Sequence, residues 1–452
     1  MLLALLLAAP AGAAPNIVVV ETDDQTAESM RVMSRTRAQL AVEGTTFANS
    51  FVSLSLCCPS RATFLTGRYA HNHGVRDIHL PHGGYEKLDH AETLAVWLQR
   101  SGYATVQLGK YLNRYGRRNP TEVPAGWTEW HGLVDPSTYS YYGFAINDDG
   151  VVKRYGRTPE HYQTDVITER AEEIVTRRGA SPQPFFLWVG YLAPHNGLPR
   201  EPGDPGGMPT PVPAPRHAGV FATASLPAPP SFDEADVSDK PLAIRRRPRL
   251  SWTKQRAIDA HHRQQLESLL AVDEGVDRIV EALRRTGELE DTLIVFTSDN
   301  GFLHGEHRVP GGKILPYEES IRVPLLMRGP GVPRGVVSRR PAANVDLAPT
   351  LLDVAGAQAP WTPDGASLLA PEPRRDLLLE GPARKHGGGA RFTGLRTQRH
   401  KYVERDTGDV ELYDLGRDPY ELRNLAGTRR ALEARLSRRL ARLRTCAGLS
   451  CR

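Results

Sequence analysis

Cysteine is scarce in this chain, with four among 452 residues. Cys57 and Cys58 are adjacent, and Cys446 and Cys451 stand near the C-terminus. Four cysteines in so long a chain exclude a disulfide-stapled scaffold. A thiolate metal centre would want further Cys or His at ligand spacing around Cys57 and Cys58, and adjacent cysteines rarely pair because the bridge is strained. A strong excess of one charge is lacking too. Lys and Arg number 57 against 52 Asp and Glu, a net charge of +5. That balance does not demand nucleic acid and fits attraction of an anionic ligand equally well. The basic run from Arg245 to Arg249 has no regularly interleaved aromatics for base stacking, so it reads as a solvated face and no nucleic-acid partner is expected. No segment reaches 18 apolar residues without a charge, so no membrane span is expected. There is no internal repeat, and a coiled coil and a fibrous protein are excluded.

Glycine and proline, by contrast, are plentiful at 41 and 36, which predicts long, turn-rich loops on a folded body. The length allows one large α/β domain plus a smaller one. Residues 1–14, MLLALLLAAPAGAA, carry no charge. This run is too short to span a bilayer but suits the apolar region of a signal peptide, with small residues from Ala11 to Ala14 for cleavage. A secreted or extracytoplasmic location is therefore expected. It would permit a small disulfide loop between Cys446 and Cys451.

The apolar run Ile17 to Val20 predicts a buried, central, parallel strand, and it ends in Glu21-Thr22-Asp23-Asp24. An amphipathic helix is expected over 88–100, then a strand from Tyr103 to Leu108 ending at Gly109-Lys110. Residues 160–178 read as a helix, and Phe185 to Val189 as a strand leading to His195-Asn196. Residues 199–250 are proline-rich and irregular, 253–286 give a helix pair or one bent helix, and Thr292 to Thr297 a strand ending at Asp299-Asn300. Val323 to Met327 is one more short strand. Strand, polar loop and helix alternate, which predicts an α/β fold with a mostly parallel sheet flanked by helices over 15–370. After about residue 370 the pattern changes to short antiparallel strands near 392–396, 400–403 and 411–414 and a helix over 428–444. Residues 371–452 are expected to form a small C-terminal α+β subdomain. Open α/β sheets bind ligands at the carboxyl ends of their strands, where Asp23, Asp24, Asp299 and Asn300 would lie. All four are hard oxygen donors suited to Ca²⁺ or Mg²⁺, although each alone would serve as a helix cap or turn residue.

Residues Cys57 to Arg68 read C-x-P-S-R-x-x-x-L-T-G-R. Here the chain resembles the sulfatase family, of the alkaline-phosphatase-like fold. The resemblance implies that Cys57, which has Pro59 at +2 and Arg61 at +4, is oxidised to formylglycine (3-oxoalanine) by a formylglycine-generating enzyme, with Cys58 the variable residue. Asp23-Asp24, Gly109-Lys110, Ala193-Pro194-His195, Asp299-Asn300-Gly301, Gly305-Glu306-His307 and Gly312-Lys313 follow in family order. They imply a metal set of Asp23, Asp24, Cys57, Asp299 and Asn300. A sulfate monoester needs a nucleophile, positive charge for its oxygens and an acid for the leaving oxygen. One hydroxyl of an aldehyde hydrate would attack sulfur, and the other would then expel sulfate. Arg61 would orient the hydrate, Lys110 and Lys313 would hold sulfate oxygens, and His195 would act as general acid. His307, His71 and His73 are further catalytic candidates. Lys110-Tyr111-Leu112-Asn113, with Leu112 where many arylsulfatases carry His, looks like the branch of N-acetylglucosamine-6-sulfatases and extracellular heparan endosulfatases. The expected substrate is then a sulfated sugar or glycosaminoglycan, most directly a 6-O-sulfated N-acetylglucosamine unit. The alternatives are a broad arylsulfatase or phosphonate/phosphodiester hydrolase of the same fold, or a catalytically silent sulfated-glycan binder.

Overall fold

The computed structural model describes residues 14–200, 204–371, 376–383 and 391–452. The expected signal peptide lies, but for its last residue, outside the described residues. The strand Asn16–Thr22 is buried along its whole length. It pairs in parallel with Phe185–Gly190 on one side and Thr292–Ser298 on the other. Its side chains alternate between two cores, as the two-residue period of a strand requires. Val18 and Val20 join Leu187 and Ile294 under the helices Gln163–Gly179 and Trp252–Thr286. Ile17 and Val19 join Phe186 and Trp188 under the helices Cys57–Thr66, Leu94–Arg100 and Leu347–Ala355.

The sheet has ten strands, in the order Val336–Ser338, Thr45–Phe47, Leu325–Arg328, Thr292–Ser298, Asn16–Thr22, Phe185–Gly190, Ala104–Gly109, Glu129–Leu133, Ala145–Asp148 and Val151–Arg154. The centre is parallel, but Leu325–Arg328 runs antiparallel to both neighbours, a direction that an apolar run does not encode. The segment 129–154, which offered no readable strand, closes one side as three strands, the last two antiparallel. Its edge strand carries Lys153 and Arg154 at exposed positions, which discourages further pairing. Of the two arrangements expected over 253–286, a helix pair or one bent helix, the chain forms a single 35-residue helix, Trp252–Thr286, capped by Ser251 and ended at Gly287 in a left-handed conformation. The helix expected over 88–100 begins only at Leu94, because Thr93 is extended and the preceding residues form turns.

The C-terminal part forms a separate antiparallel sheet of Leu377–Glu380, Phe392–Arg396, His400–Arg405 and Val410–Asp414. The helix Arg430–Leu443 packs Leu436, Leu440 and Leu443 against it. Cys446 and Cys451 form a disulfide just beyond this helix. No helix among the described residues is long and apolar enough to cross a membrane.

Candidate active site

Four neighbouring parallel strands, Thr292–Ser298, Asn16–Thr22, Phe185–Gly190 and Ala104–Gly109, end along one edge, and their loops bring distant residues together. Asp23 and Asp24 follow Asn16–Thr22, Lys110 follows Ala104–Gly109, and Asp299 and Asn300 follow Thr292–Ser298. Two glycines make the convergence possible. A Cβ at Gly109 would lie 2.2 Å from the Gly190 carbonyl oxygen, and one at Gly190 would lie 2.3 Å from that of Lys110. Either would force apart the strand ends that carry Lys110 and the loop to His195. Asp24 has φ 69°, a left-handed conformation that costs a non-glycine residue and is held here by its neighbours.

The helix Cys57–Thr66 points its first turn at this edge. Pro59 is tolerated there because its missing N–H lies among the unpaired donors of a helix start. Cys57 and Arg61, four apart, share a face. The Cys57 thiol donates to Asp23 Oδ1 at 3.3 Å, and Lys313 Nζ lies 2.8 Å from its sulfur. Arg61 is fully buried. Its Nε donates to Asp299 Oδ2 at 2.8 Å, one Nη donates to the Lys110 carbonyl at 2.9 Å, and the same Nη lies 3.4 Å from Glu21. Lys110 Nζ contacts the Asp23 carboxylate and Lys313 Nζ that of Asp24.

Glu21, Asp23, Asp24 and Asp299 are all buried. Two such carboxylates 4 Å apart repel by about 4 kcal/mol at an effective dielectric of about 20, so the cluster requires compensating cations. Burial alone would raise the Asp23 carboxyl, but Lys110, then His195, Lys313 and Arg61, hold it well below the usual range. Burial raises Asp299, and the Asp23 charge adds to the rise. Burial pushes Glu21 up to about 7 against the pull of Arg61. Burial also pushes the Cys57 thiol far up, and Asp23 reinforces it, so the unmodified thiol is a poor nucleophile at neutral pH.

The donor set fits a hard divalent cation. Asp23, Asp24 and Asp299 offer carboxylate oxygens, and Asn300 Oδ1 is buried without a partner while its amide nitrogen donates to Asp24 and to the Gly301 carbonyl. Ligand atoms of Asp23, Asp24, Cys57 and His195 lie within 4.8 Å of one another. His195 Nδ1 is 2.9 Å from the Asn196 carbonyl oxygen, which only accepts, so Nδ1 carries a proton. Its Nε2 faces the cluster, 3.7 Å from Asp24 Oδ2.

Three histidines nominated from sequence lie elsewhere. His71 and His73 follow the far end of the helix Cys57–Thr66, which spans about 14 Å at 1.5 Å per residue. His71 bridges Glu380 at 3.2 Å and the Cys446 carbonyl at 2.9 Å, and so fastens the C-terminal sheet. His73 Nε2 meets Thr63 Oγ1 at 3.0 Å. His307 bonds Glu234 at 2.6 Å and stacks on Tyr317. None of the three contacts Cys57; a histidine that looks catalytic in sequence has been taken up by a neighbouring carboxylate or hydroxyl. His71→Ala should therefore lower the melting temperature by a few degrees, from about 1–3 kcal/mol of lost buried bonding, with little change in kcat; thermal unfolding and kinetics on one preparation check it.

Other residues take their place around the site only through the tertiary structure. Tyr139 packs 5.0 Å from the His195 ring and lies under Lys110 Nζ at 4.8 Å. Tyr141 Oη donates to the His195 carbonyl at 2.7 Å. His261, from the long helix, meets Asn196 Oδ1 at 2.6 Å. Leu112 is buried in the apolar core.

Residues 15–357 match the model of the sulfatase family, and residues 305–446 match the C-terminal model of N-sulphoglucosamine sulphohydrolase. An arylsulfatase of Volvox carteri is 36% identical over 99% of this chain and 77% of its own. The human N-acetylglucosamine-6-sulfatase is 31% identical over 97% of this chain and 86% of its own. A solved structure of a protein in complex with its substrate D-glucosamine-2-N,6-O-disulfate superposes with a TM-score of 0.80 at 27% identity, covering 95% of this chain and 97% of that one. A family match over three quarters of the sequence, on a sheet whose strand ends gather these acids, lysines and Cys57, makes this chain a member of the sulfatase family.

Proposed function

We propose that this sulfatase removes the 6-O-sulfate of glucosamine units in a glycosaminoglycan, outside the cytoplasm, after Cys57 has been oxidised to formylglycine. The observation that carries the reading is the place of Cys57. Its sulfur marks a point between Asp23 Oδ1 and Lys313 Nζ, beside a group of buried acids joined by the buried Lys110 and Arg61 and the half-buried Lys313. The hydrate of the modified side chain supplies the nucleophile. A bound divalent cation, Ca²⁺ or Mg²⁺, supplies Lewis-acid polarisation of the sulfate oxygens. Asp23, Asp24, Asp299 and Asn300 hold it. Lys110 and Lys313 draw two sulfate oxygens into line, and each positive charge within about 4 Å contributes about 4 kcal/mol before desolvation. Arg61, locked by Asp299 and the Lys110 carbonyl, fixes the start of the helix that carries residue 57.

His195 gives a proton to the leaving oxygen from Nε2. Its Nδ1–H stays on the Asn196 carbonyl, and Asn196 is held in turn by His261, so the ring keeps one orientation. A sugar alkoxide is a poor leaving group and a phenolate a good one. His195→Ala should thus lower kcat/KM roughly 10²–10³-fold on a 6-sulfated sugar and less than tenfold on an aryl sulfate. Equal losses on both esters would remove the general-acid role.

Glucosamine specificity is supported by the likeness to the human 6-sulfatase and to the disulfate complex. The likeness to the algal arylsulfatase favours a broad aryl-ester activity as the second reading. Export is supported by the Cys446–Cys451 disulfide, a bond of oxidising compartments, and by the apolar start at 1–14. The deciding experiment assays the matured chain on defined mono- and oligosaccharides sulfated at O6, at other positions and on nitrogen, beside an aryl sulfate. Loss of the O6 ester at the highest kcat/KM is expected; preference for any other ester ends the substrate assignment and leaves the sulfatase class.

A further inference from the structure

His307, set aside from catalysis by its position, belongs to a second constellation. Ligand atoms of His307, Glu319 and Glu421 lie within 4.8 Å of one another. These residues come from three separate segments: the loop after Asp299-Asn300, the short helix Glu318–Ile321, and the loop that follows the strand Val410–Asp414. His307 is completely buried. Its Nδ1 faces Glu234 Oε2 at 2.6 Å, and its Nε2 is buried with no hydrogen-bond partner. Glu319 Oε2 is likewise buried and unpartnered, while its other oxygen accepts from Ser231 Oγ at 3.3 Å. Glu421 Oε2 accepts from the Glu318 amide at 2.8 Å, and its Oε1 lies 2.7 Å from Lys401. Glu319 also lines a cavity of about 460 Å³, with Glu306, Glu318 and Tyr420.

This is the arrangement that a metal-binding imidazole adopts: one ring nitrogen donates to a carboxylate, which fixes the ring, and the other is free to ligate. One nitrogen and two carboxylates suit a first-row divalent ion such as Zn²⁺. Charge points the same way. Glu234, Glu318 and Glu421 pair with Lys240, Arg396 and Lys401, and Glu319, which has no ion pair among the described residues, leaves a negative excess for a cation to offset.

We infer that His307, Glu319 and Glu421 form a second divalent-metal site, distinct from the centre at Cys57, which joins the catalytic sheet to the C-terminal sheet. A metal there ties residues 307 and 319 to residue 421, so its effect is on stability rather than on turnover. This site does not depend on the substrate assigned to the catalytic centre. The competing arrangement is a metal-free His307 imidazolium that satisfies the same carboxylates.

The test uses the full chain, saturated with calcium so that the catalytic ligands are occupied, and Zn²⁺ as the probe. Bound zinc is counted after equilibrium dialysis, and the melting temperature is followed through a zinc titration. One zinc per chain and a rise of several degrees are expected. Glu319→Gln and Glu421→Gln, each nearly isosteric, should weaken uptake at least tenfold and remove the rise. Zinc bound equally by wild type and both variants, or no zinc bound by wild type, overturns the site and leaves the imidazolium. Should either variant fail to fold, Co²⁺ in the calcium-saturated wild-type chain decides: visible absorption of a low-coordinate site supports the assignment, and its absence overturns it.

Discussion

Cys57→Ala is expected to abolish turnover, by on the order of 10⁴-fold or more in kcat, while the fold survives. On the proposed mechanism the nucleophile originates at this one side chain, and loss of a nucleophile removes a covalent step that the remaining groups cannot replace. Structurally the change is small. One buried sulfur is lost from the first turn of the helix Cys57–Thr66, at a cost on the order of 1 kcal/mol, and Arg61, Asp299 and Lys110 keep their mutual contacts. The same reasoning predicts that the chain made without its modifying enzyme is inactive. Burial and Asp23 push the Cys57 thiol far above neutral pH, so almost none of it is thiolate. Mass spectrometry of the peptide that contains Cys57 and Cys58, alongside a sulfate-release assay, checks both points. The aldehyde or its hydrate should lie at residue 57; modification at residue 58 alone, or full activity with an unmodified thiol, defeats the assignment.

Removal of the divalent cation should be nearly as severe. Three carboxylates and the unpartnered Asn300 oxygen are its proposed ligands, and the four residues lie in loops that leave neighbouring strands. Chelation should reduce kcat/KM by at least about 10³-fold, and Ca²⁺ or Mg²⁺ should restore it, with Ca²⁺ favoured because it accepts more oxygen ligands and looser geometry. Asp24→Asn offers a cleaner version. Asn tolerates the left-handed φ of 69° at this position, so the backbone is kept while one charge is lost. The expected consequence is a roughly 10²–10³-fold drop in kcat/KM, about 3–4 kcal/mol, together with a raised cation requirement for half-maximal activity. Lys313 loses its ion-pair partner in this variant and swings free or settles on Asp23, which lies 3.8 Å away. Full activity of a rigorously metal-free preparation is incompatible with this account.

Much of this site was written locally in the chain. The β-branched run Ile17 to Val20 is followed at once by Asp23-Asp24, so the strand and the ligands at its end are read together. Cys57, Pro59 and Arg61 sit within one helical turn, and a four-residue spacing on a helix puts Cys57 and Arg61 on one face whatever the rest of the molecule does. The same holds for Gly109-Lys110, where the glycine that permits the close approach directly precedes the lysine it delivers. The antiparallel strands near 392–414 also follow from short-range pattern, whereas the spacing of Cys446 and Cys451 only permitted the bridge that they form.

Other features were decided only by the tertiary structure, because they depend on which surface arrives opposite a side chain. His71 meets Glu380 across 309 residues of sequence, and His307 meets Glu234 across 73, so both are held by carboxylates away from Cys57. His261 is one of many polar residues on a 35-residue helix until Asn196 comes within 2.6 Å of it. Glu21 looks like a strand-end acid, but Trp188 and Arg61 enclose it and burial carries it up to about 7. The sense of Leu325–Arg328 and the strands within 129–154 were set by register, which an apolar run leaves open. Residue type and short spacing therefore determined what each segment of this protein can do. The convergence of strand ends 275 residues apart, at Asp24 and Asp299, decided which of those capacities act together.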